Sequence, residues 1–119
     1  GLNLARSTVA SHPTTADIWT AGNQINWTGT ANVTALPNAP QGGVERTLIC
    51  SAAAVFTAGS NMVIDGINSG DSVTCSAGDQ VIVKAISTTS YKLSRIKLDG
   101  TAQVSVGGGM TQPQIQAYI

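Results

Sequence analysis

The feature that most constrains this chain is its rhythm. Short runs rich in Val, Ile and Thr are broken roughly every eight to twelve residues by Gly, Asn, Asp or Pro. A helix needs a longer run with apolar residues recurring three and four positions apart, and signals of that kind are nearly absent. Runs this short bury an apolar face only by pairing side by side, so the expected fold class is all-β. The rhythm fits an antiparallel β-sandwich, jelly-roll-like, or a small barrel, with extended N- and C-terminal segments. Thirteen glycines supply the turns.

Three parts are expected along the chain. Residues 1–13, with Leu2, Leu4 and Val9 at wide spacing, read as an N-terminal arm or edge strand. Residues 14–106 form the β-sandwich domain, with strands expected first over 15–20, 24–28 and 31–36. In 24–28, Ile25 and Trp27 share one face, and Asn26 and Thr28 take the other. The stretch 37–43, Pro-Asn-Ala-Pro-Gln-Gly-Gly, denies both helix and ladder and is the clearest loop. Strand 44–51 puts Val44, Arg46, Leu48 and Cys50 opposite Glu45, Thr47 and Ile49. Neither face is cleanly polar, which predicts a core on one side and a neighbouring sheet or subunit on the other.

Further on, 53–57 and 61–64 read as a hairpin around Ala58-Gly59-Ser60, and 72–76 as a short strand. The strongest strand is 80–86, where Ile82, Lys84 and Ile86 alternate with Val81, Val83 and Ala85. Thr88 and Thr89 turn the chain into 90–98, and Asp99-Gly100 signals a hairpin before 101–106. Residues 107–119 read as a triple-glycine hinge and a C-terminal tail, an appendage that docks elsewhere.

Charge narrows the choice of partners. Six Lys and Arg balance six Asp and Glu among 119 residues, for a formal net charge of +0. No long-range field steers nucleic acid or an anionic membrane toward such a chain. No apolar stretch reaches the length of a membrane span, so neither nucleic-acid binding nor membrane insertion is expected. The densest basic patch, Lys92, Arg95 and Lys97, reads as aliphatic stems lying on a sheet with their charges in water. A near-neutral chain with 10% charged residues is poorly protected against association, so part of its surface is expected to meet copies of itself. The start at Gly1, without an initiator Met, fits a processed chain or a fragment.

Little in the sequence suits catalysis, and no enzyme and no cofactor are expected. The one histidine, His12, sits beside Pro13 in an expected loop. Zinc needs about four ligands, and one histidine with two cysteines in unrelated elements does not supply them. Asp65, Asp71, Asp79 and Asp99 lie beside or within one residue of glycine, where Asp caps turn amides. Cys50 and Cys75 read as buried free thiols, with a single bridge as the alternative. The residues expected to make contacts are Trp19, Trp27, Pro37, Asn38, Pro40, Tyr91, Pro113, Ile115 and Tyr118. Trp27 is read as core or interface, Trp19 as rim or interior. Aromatics make up only 4% of the chain, too few for a sugar-binding cage.

Several ordered segments carry a resemblance. They are Asp17-Ile18, Gly22-Asn23-Gln24-Ile25 leading to Thr28-Gly29-Thr30, Gly43 followed by Arg46-Thr47-Leu48-Ile49, and Met62-Val63-Ile64. Ala77-Gly78-Asp79-Gln80-Val81, an aromatic at Tyr91 and Asp99-Gly100-Thr101-Ala102 complete the series. In this order, from Thr8 to Ala102, the chain resembles a β-rich module of tailed-bacteriophage virion proteins, of tail-fibre or head-decoration type. Tyr91 departs from the tryptophan expected there. The resemblance implies a non-enzymatic structural protein located in the virion: a tail-fibre or receptor-binding module presented as a homotrimer. Its partners would be itself, other virion proteins and a host surface glycan or receptor. The competing expectations are a capsid decoration protein and a carbohydrate-binding module. The last predicts Trp19, Trp27 or Tyr91 exposed in a shallow groove.

Overall fold

The computed structural model describes residues 7–103. The expected C-terminal strand beyond Gln103, the glycine hinge and the tail lie outside the described residues. Among the described residues nine strands form: β1 Ser7–Ala10, β2 Gln24–Thr28, β3 Asn32–Val33, β4 Glu45–Cys50, β5 Val55–Thr57, β6 Met62–Ile64, β7 Ser72–Thr74, β8 Gln80–Ala85 and β9 Tyr91–Ile96. They make a six-stranded sheet, β1-β2-β4-β8-β9-β6, and a three-stranded sheet, β3-β5-β7. The fold is all-β, as the turn rhythm predicts.

The pairing differs from the antiparallel expectation, because both sheets are mixed. β1 pairs with β2, β2 with β4, β3 with β5 and β6 with β9 in parallel, while β4–β8, β8–β9 and β5–β7 are antiparallel. The reason is the path of the chain. From β2 to β8 successive strands alternate between the sheets. A strand that returns after an excursion through the other sheet can lie parallel to the one it left, which a tight hairpin forbids. Among the described strands, β8–β9 is the one consecutive pair within a single sheet joined by a short turn, closed by Ile86 N–H donating to Ser90 O at 2.8 Å. The hairpin expected around Ala58-Gly59-Ser60 is therefore a crossing, with β5 in the small sheet and β6 in the large one.

Alternation places the core as expected. Ile25 and Trp27, Leu48 and Cys50, Val81, Val83 and Ala85, and Tyr91 and Leu93 are all buried. From the small sheet Val33, Phe56 and Val73 join the same cluster. Trp27 of β2 stacks on Phe56 of β5 with centroids 5.9 Å apart, so the two sheets share one core. Each fully buried aliphatic side chain of this kind contributes about 1.5–3 kcal/mol.

Two expected strands fail for local reasons. Residues 15–20 do not pair, because the Asp17 carboxylate accepts from the amides of Trp19 (3.0 Å) and Thr20 (3.3 Å) and from the Thr20 hydroxyl (2.7 Å). That local turn competes with a ladder. The expected strand over 31–36 shrinks to Asn32–Val33, since the Thr34 and Ala35 amides both donate to Pro13 O.

One end of the large sheet is closed by Asp79, 2% exposed. Its carboxylate accepts from the amides of Ser76 (2.8 Å) and Leu98 (2.9 Å) and from Arg95 Nε (2.9 Å) and Nη2 (2.7 Å). Burial alone would raise its pKa, but these bonds and the Arg95 charge outweigh it and hold the carboxyl below the usual range. Arg95 thus turns inward to a carboxylate instead of lying with its charge in water, a correction to the basic-patch reading.

Candidate contact site

The backbone of the loop after β3 is hydrogen-bonded to β8 and to the turn between β8 and β9. Ala39 N–H donates to Thr88 O at 2.9 Å, and Gly43 N–H to Ala85 O at 2.7 Å. The Pro37 carbonyl accepts twice, from Trp19 Nε1 at 2.7 Å and from the Tyr91 hydroxyl at 2.7 Å. Both lone pairs of one carbonyl are therefore used by aromatic side chains from distant parts of the chain. Trp19 and Tyr91 also stack on each other, with centroids 5.6 Å apart and planes 27° from parallel. Burial pushes the Tyr91 phenol up, only partly offset by the Ala39 amide, so it stays a neutral donor at physiological pH.

Arg46 completes the support from β4. Its guanidinium lies 5.9 Å from the Trp19 ring centroid. It donates to Ile18 O (3.1 Å), Trp19 O (2.7 Å) and Glu45 O (2.8 Å). A stacked cation of this kind contributes about 0.5–1 kcal/mol, and the hydrogen bonds fix segment 17–20 against the large sheet.

The surface left above this support is a shallow hollow of about 490 Å³ lined by Thr15, Asp17, Trp19, Pro37, Asn38 and Pro40. Four of the residues expected to make contacts thus come together: Trp19, Pro37, Asn38 and Pro40. Asn38 and Pro40 are exposed, Pro37 is half-buried, and Trp19 is 6% exposed. The Thr20 hydroxyl, opposed by slight burial and joined by the Trp19 and Thr20 amides, holds Asp17 below the usual carboxylate range, so the rim carries one fixed negative charge. Asn38 also lines a second hollow of about 460 Å³ on the other flank, together with Tyr91 and the 59–62 turn.

The other expected contact residues fall elsewhere. Tyr91 is buried beneath the loop and acts as its anchor. Trp27 is fully buried between the sheets, and its indole N–H has no partner among the described residues. Pro113, Ile115 and Tyr118 lie outside the described residues. Sequence reasoning missed Asp17 and Arg46 as the supports of this region. The Asp17-Ile18-Trp19-Thr20 order carries a turn signal, but nothing in the spacing points Arg46 at residues 18 and 19.

His12 and Asp65 are held by local contacts. His12 Nδ1 accepts from the amides of Thr14 and Thr15 at 3.1 Å and faces the Thr15 hydroxyl at 2.9 Å, which caps an exposed turn. Asp65 receives the Ser94 hydroxyl at 2.6 Å and the Lys92 ammonium at 3.6 Å. Among the described residues no group of three His, Cys, Asp or Glu side chains is placed to hold a metal ion. Comparison of the chain with known protein families, with curated proteins and with solved structures finds no match.

Proposed function

We propose that this chain is a structural, non-catalytic module that assembles with copies of itself, as a homotrimer, with an open strand edge in the interface. The observation that carries the reading is β1. It is the outermost strand of the large sheet, and within it Ser7, Thr8, Val9 and Ala10 bring neither charge nor proline. Soluble monomers usually guard such an edge with Lys, Pro, a bulge or a covering loop. The opposite edge at β6 is guarded in this way. Met62 exchanges hydrogen bonds with Gly59 (3.0 and 3.3 Å), and Ile67 N–H donates to Ile64 O at 3.1 Å. An edge that carries neither charge nor proline, and no further strand among the described residues, suits closure by a symmetric partner on a chain of zero net charge.

The virion setting rests on the ordered sequence segments between Thr8 and Ala102 and on their resemblance to tailed-phage virion modules. A tail-fibre or receptor-binding role uses the loop 37–40 and its two flanking hollows as the presented surface, toward a glycan or receptor. A capsid decoration role uses the same self-association with a capsid as partner. The carbohydrate-binding alternative loses its aromatic platform, since Trp19, Trp27 and Tyr91 are all buried.

The test is the solution mass by light scattering across a dilution series. The expected result is a stable species of three times the 12.1 kDa chain mass. A monomer at every concentration would overturn the self-assembly reading.

A further inference from the structure

Cys50 ends β4 in the large sheet, and Cys75 follows β7 in the small one. Both are free thiols, 2% and 1% exposed. Backbone bonds bring them together from two directions. The Cys50 amide donates to Asp79 O at 2.9 Å, and the Gly78 amide donates to Cys50 O at 2.7 Å, so the 75–79 turn lies against the end of β4. The Cys75 amide donates to Ala54 O at 2.7 Å and pins the start of that turn. Held so, Cys50 and Cys75 lie in one buried cluster, and each thiol is the group that most strongly shifts the other's titration.

We infer that Cys50 and Cys75 are a preset dithiol that closes into one intramolecular disulfide, a covalent staple between the two sheets. The inference does not depend on the assembly reading, because both sulfurs belong to one chain and lie inside it.

Strand position assigns the order of attack: Cys75 follows the edge strand β7, whereas Cys50 ends β4, which lies between β2 and β8. In keeping with this, the Cys50 thiol lowers the Cys75 titration; burial opposes it, and the Arg95 guanidinium supports it against the opposing charge of its partner Asp79. The Cys75 thiol, with burial, pushes the Cys50 thiol up. The thiolate is the nucleophile in disulfide exchange. Cys75 therefore attacks a small-molecule disulfide such as oxidised glutathione, forming a mixed disulfide at Cys75 and releasing one glutathione thiolate. Cys50 then gives its proton to solvent and attacks the Cys75 sulfur, releasing the second glutathione. Two cysteine thiols are oxidised to one disulfide, and one glutathione disulfide is reduced to two thiols. Access comes from the edge position of β7, where Ser72, Thr74, Ser76 and Ala77 are exposed. Local opening of such an edge uncovers Cys75 without unfolding the large sheet.

The experiment equilibrates the folded chain in glutathione buffers of graded potential, quenches with acid, alkylates under denaturing conditions and weighs the product. The expected result is one transition, from a chain that takes two alkyl groups to a chain lighter by two hydrogens that takes none. The oxidised form should melt higher by about 10 °C or more, since the bridge closes a loop of about 25 residues, and dithiothreitol should reverse the gain. In Cys50→Ala a glutathione adduct should persist on Cys75, and in Cys75→Ala no adduct should form; the reverse pattern overturns Cys75 as the attacking sulfur. Two alkyl groups at the most oxidising potential, or bridges between copies, would overturn the staple itself. The mass of the parent chain decides this even if either variant fails to fold.

Discussion

At the residue scale, two side chains do far more than their sequence neighbourhood announces. Asp79 was legible as a turn residue beside Gly78, and it does cap Ser76. Its pairing with Arg95, sixteen positions on, was not legible, because spacing alone cannot tell a solvated arginine from one folded back on a carboxylate. The side chains of the pair are 3% and 13% exposed, so removing one partner strands the other away from water. Asp79→Ala should cost about 3–5 kcal/mol in urea unfolding, the scale for breaking a buried pair. The sign of its pH dependence follows from its lowered folded pKa. The carboxylate's stabilisation is fully present above the unfolded value of about 3.9 and is lost as pH falls through the folded one. The parent should therefore lose stability more steeply than Asp79→Ala below about pH 4, and unfolding curves through that range check it. Tyr91 and Trp19 were legible as significant aromatics, but not as two donors to one carbonyl. Tyr91→Phe should cost about 1–2 kcal/mol, the range for a lost buried hydrogen bond. Because Trp19→Phe touches the same acceptor, a double-mutant cycle should show the two losses to be non-additive.

At the element scale, the strands with clean alternation were legible and the connections between them were not. The 24–28, 44–51, 80–86 and 90–98 segments all contain strands, since a period of two in apolar residues is a local property. Whether the chain folds back after a turn or crosses to the other sheet depends on which apolar faces meet, and that is settled by packing. Ala58-Gly59-Ser60 shows the difference, because its composition suits either outcome. Loop 37–43 is legible as a loop from its Pro and Gly content, whereas the hydrogen bonds that seat it come from β8, β9 and the turn between them. Gly42 is the tightest point of that seating, where an added Cβ would meet Ile86 O at 2.7 Å. A backbone atom cannot swing aside as a side chain can. Gly42→Ala should therefore lose about 1–3 kcal/mol by overpacking and speed hydrogen exchange at Ala39 and Gly43. Gly59→Ala, with open space around it, is the matched control that should stay close to the parent.

At the scale of the whole molecule, the two edges of the large sheet pose the question of assembly most sharply. Charge and composition raise the expectation of association but give it no location, because an edge exists only once strand order is known. In a parallel ladder both backbone groups of a residue point to the same side, and alternate residues point to opposite sides. Ser11 N–H donates to Thr28 O at 2.8 Å, so Val9 faces β2 with its backbone, and Thr8 and Ala10 turn theirs outward. Proline at position 8 thus removes a donor from the open edge while sparing the ladder to β2, a placement that edge strands tolerate. If copies join by strand addition at β1, Thr8→Pro should remain folded by circular dichroism and run at 12.1 kDa in light scattering at concentrations where the parent is trimeric. Val63→Lys places a charge on β6, where Val63 is 46% exposed beside the edge that its own turns close. That variant should keep the parent's mass. A trimeric Thr8→Pro with a monomeric Val63→Lys would move the interface to the β6 side, and the guarded edge would then be the one that the assembly covers.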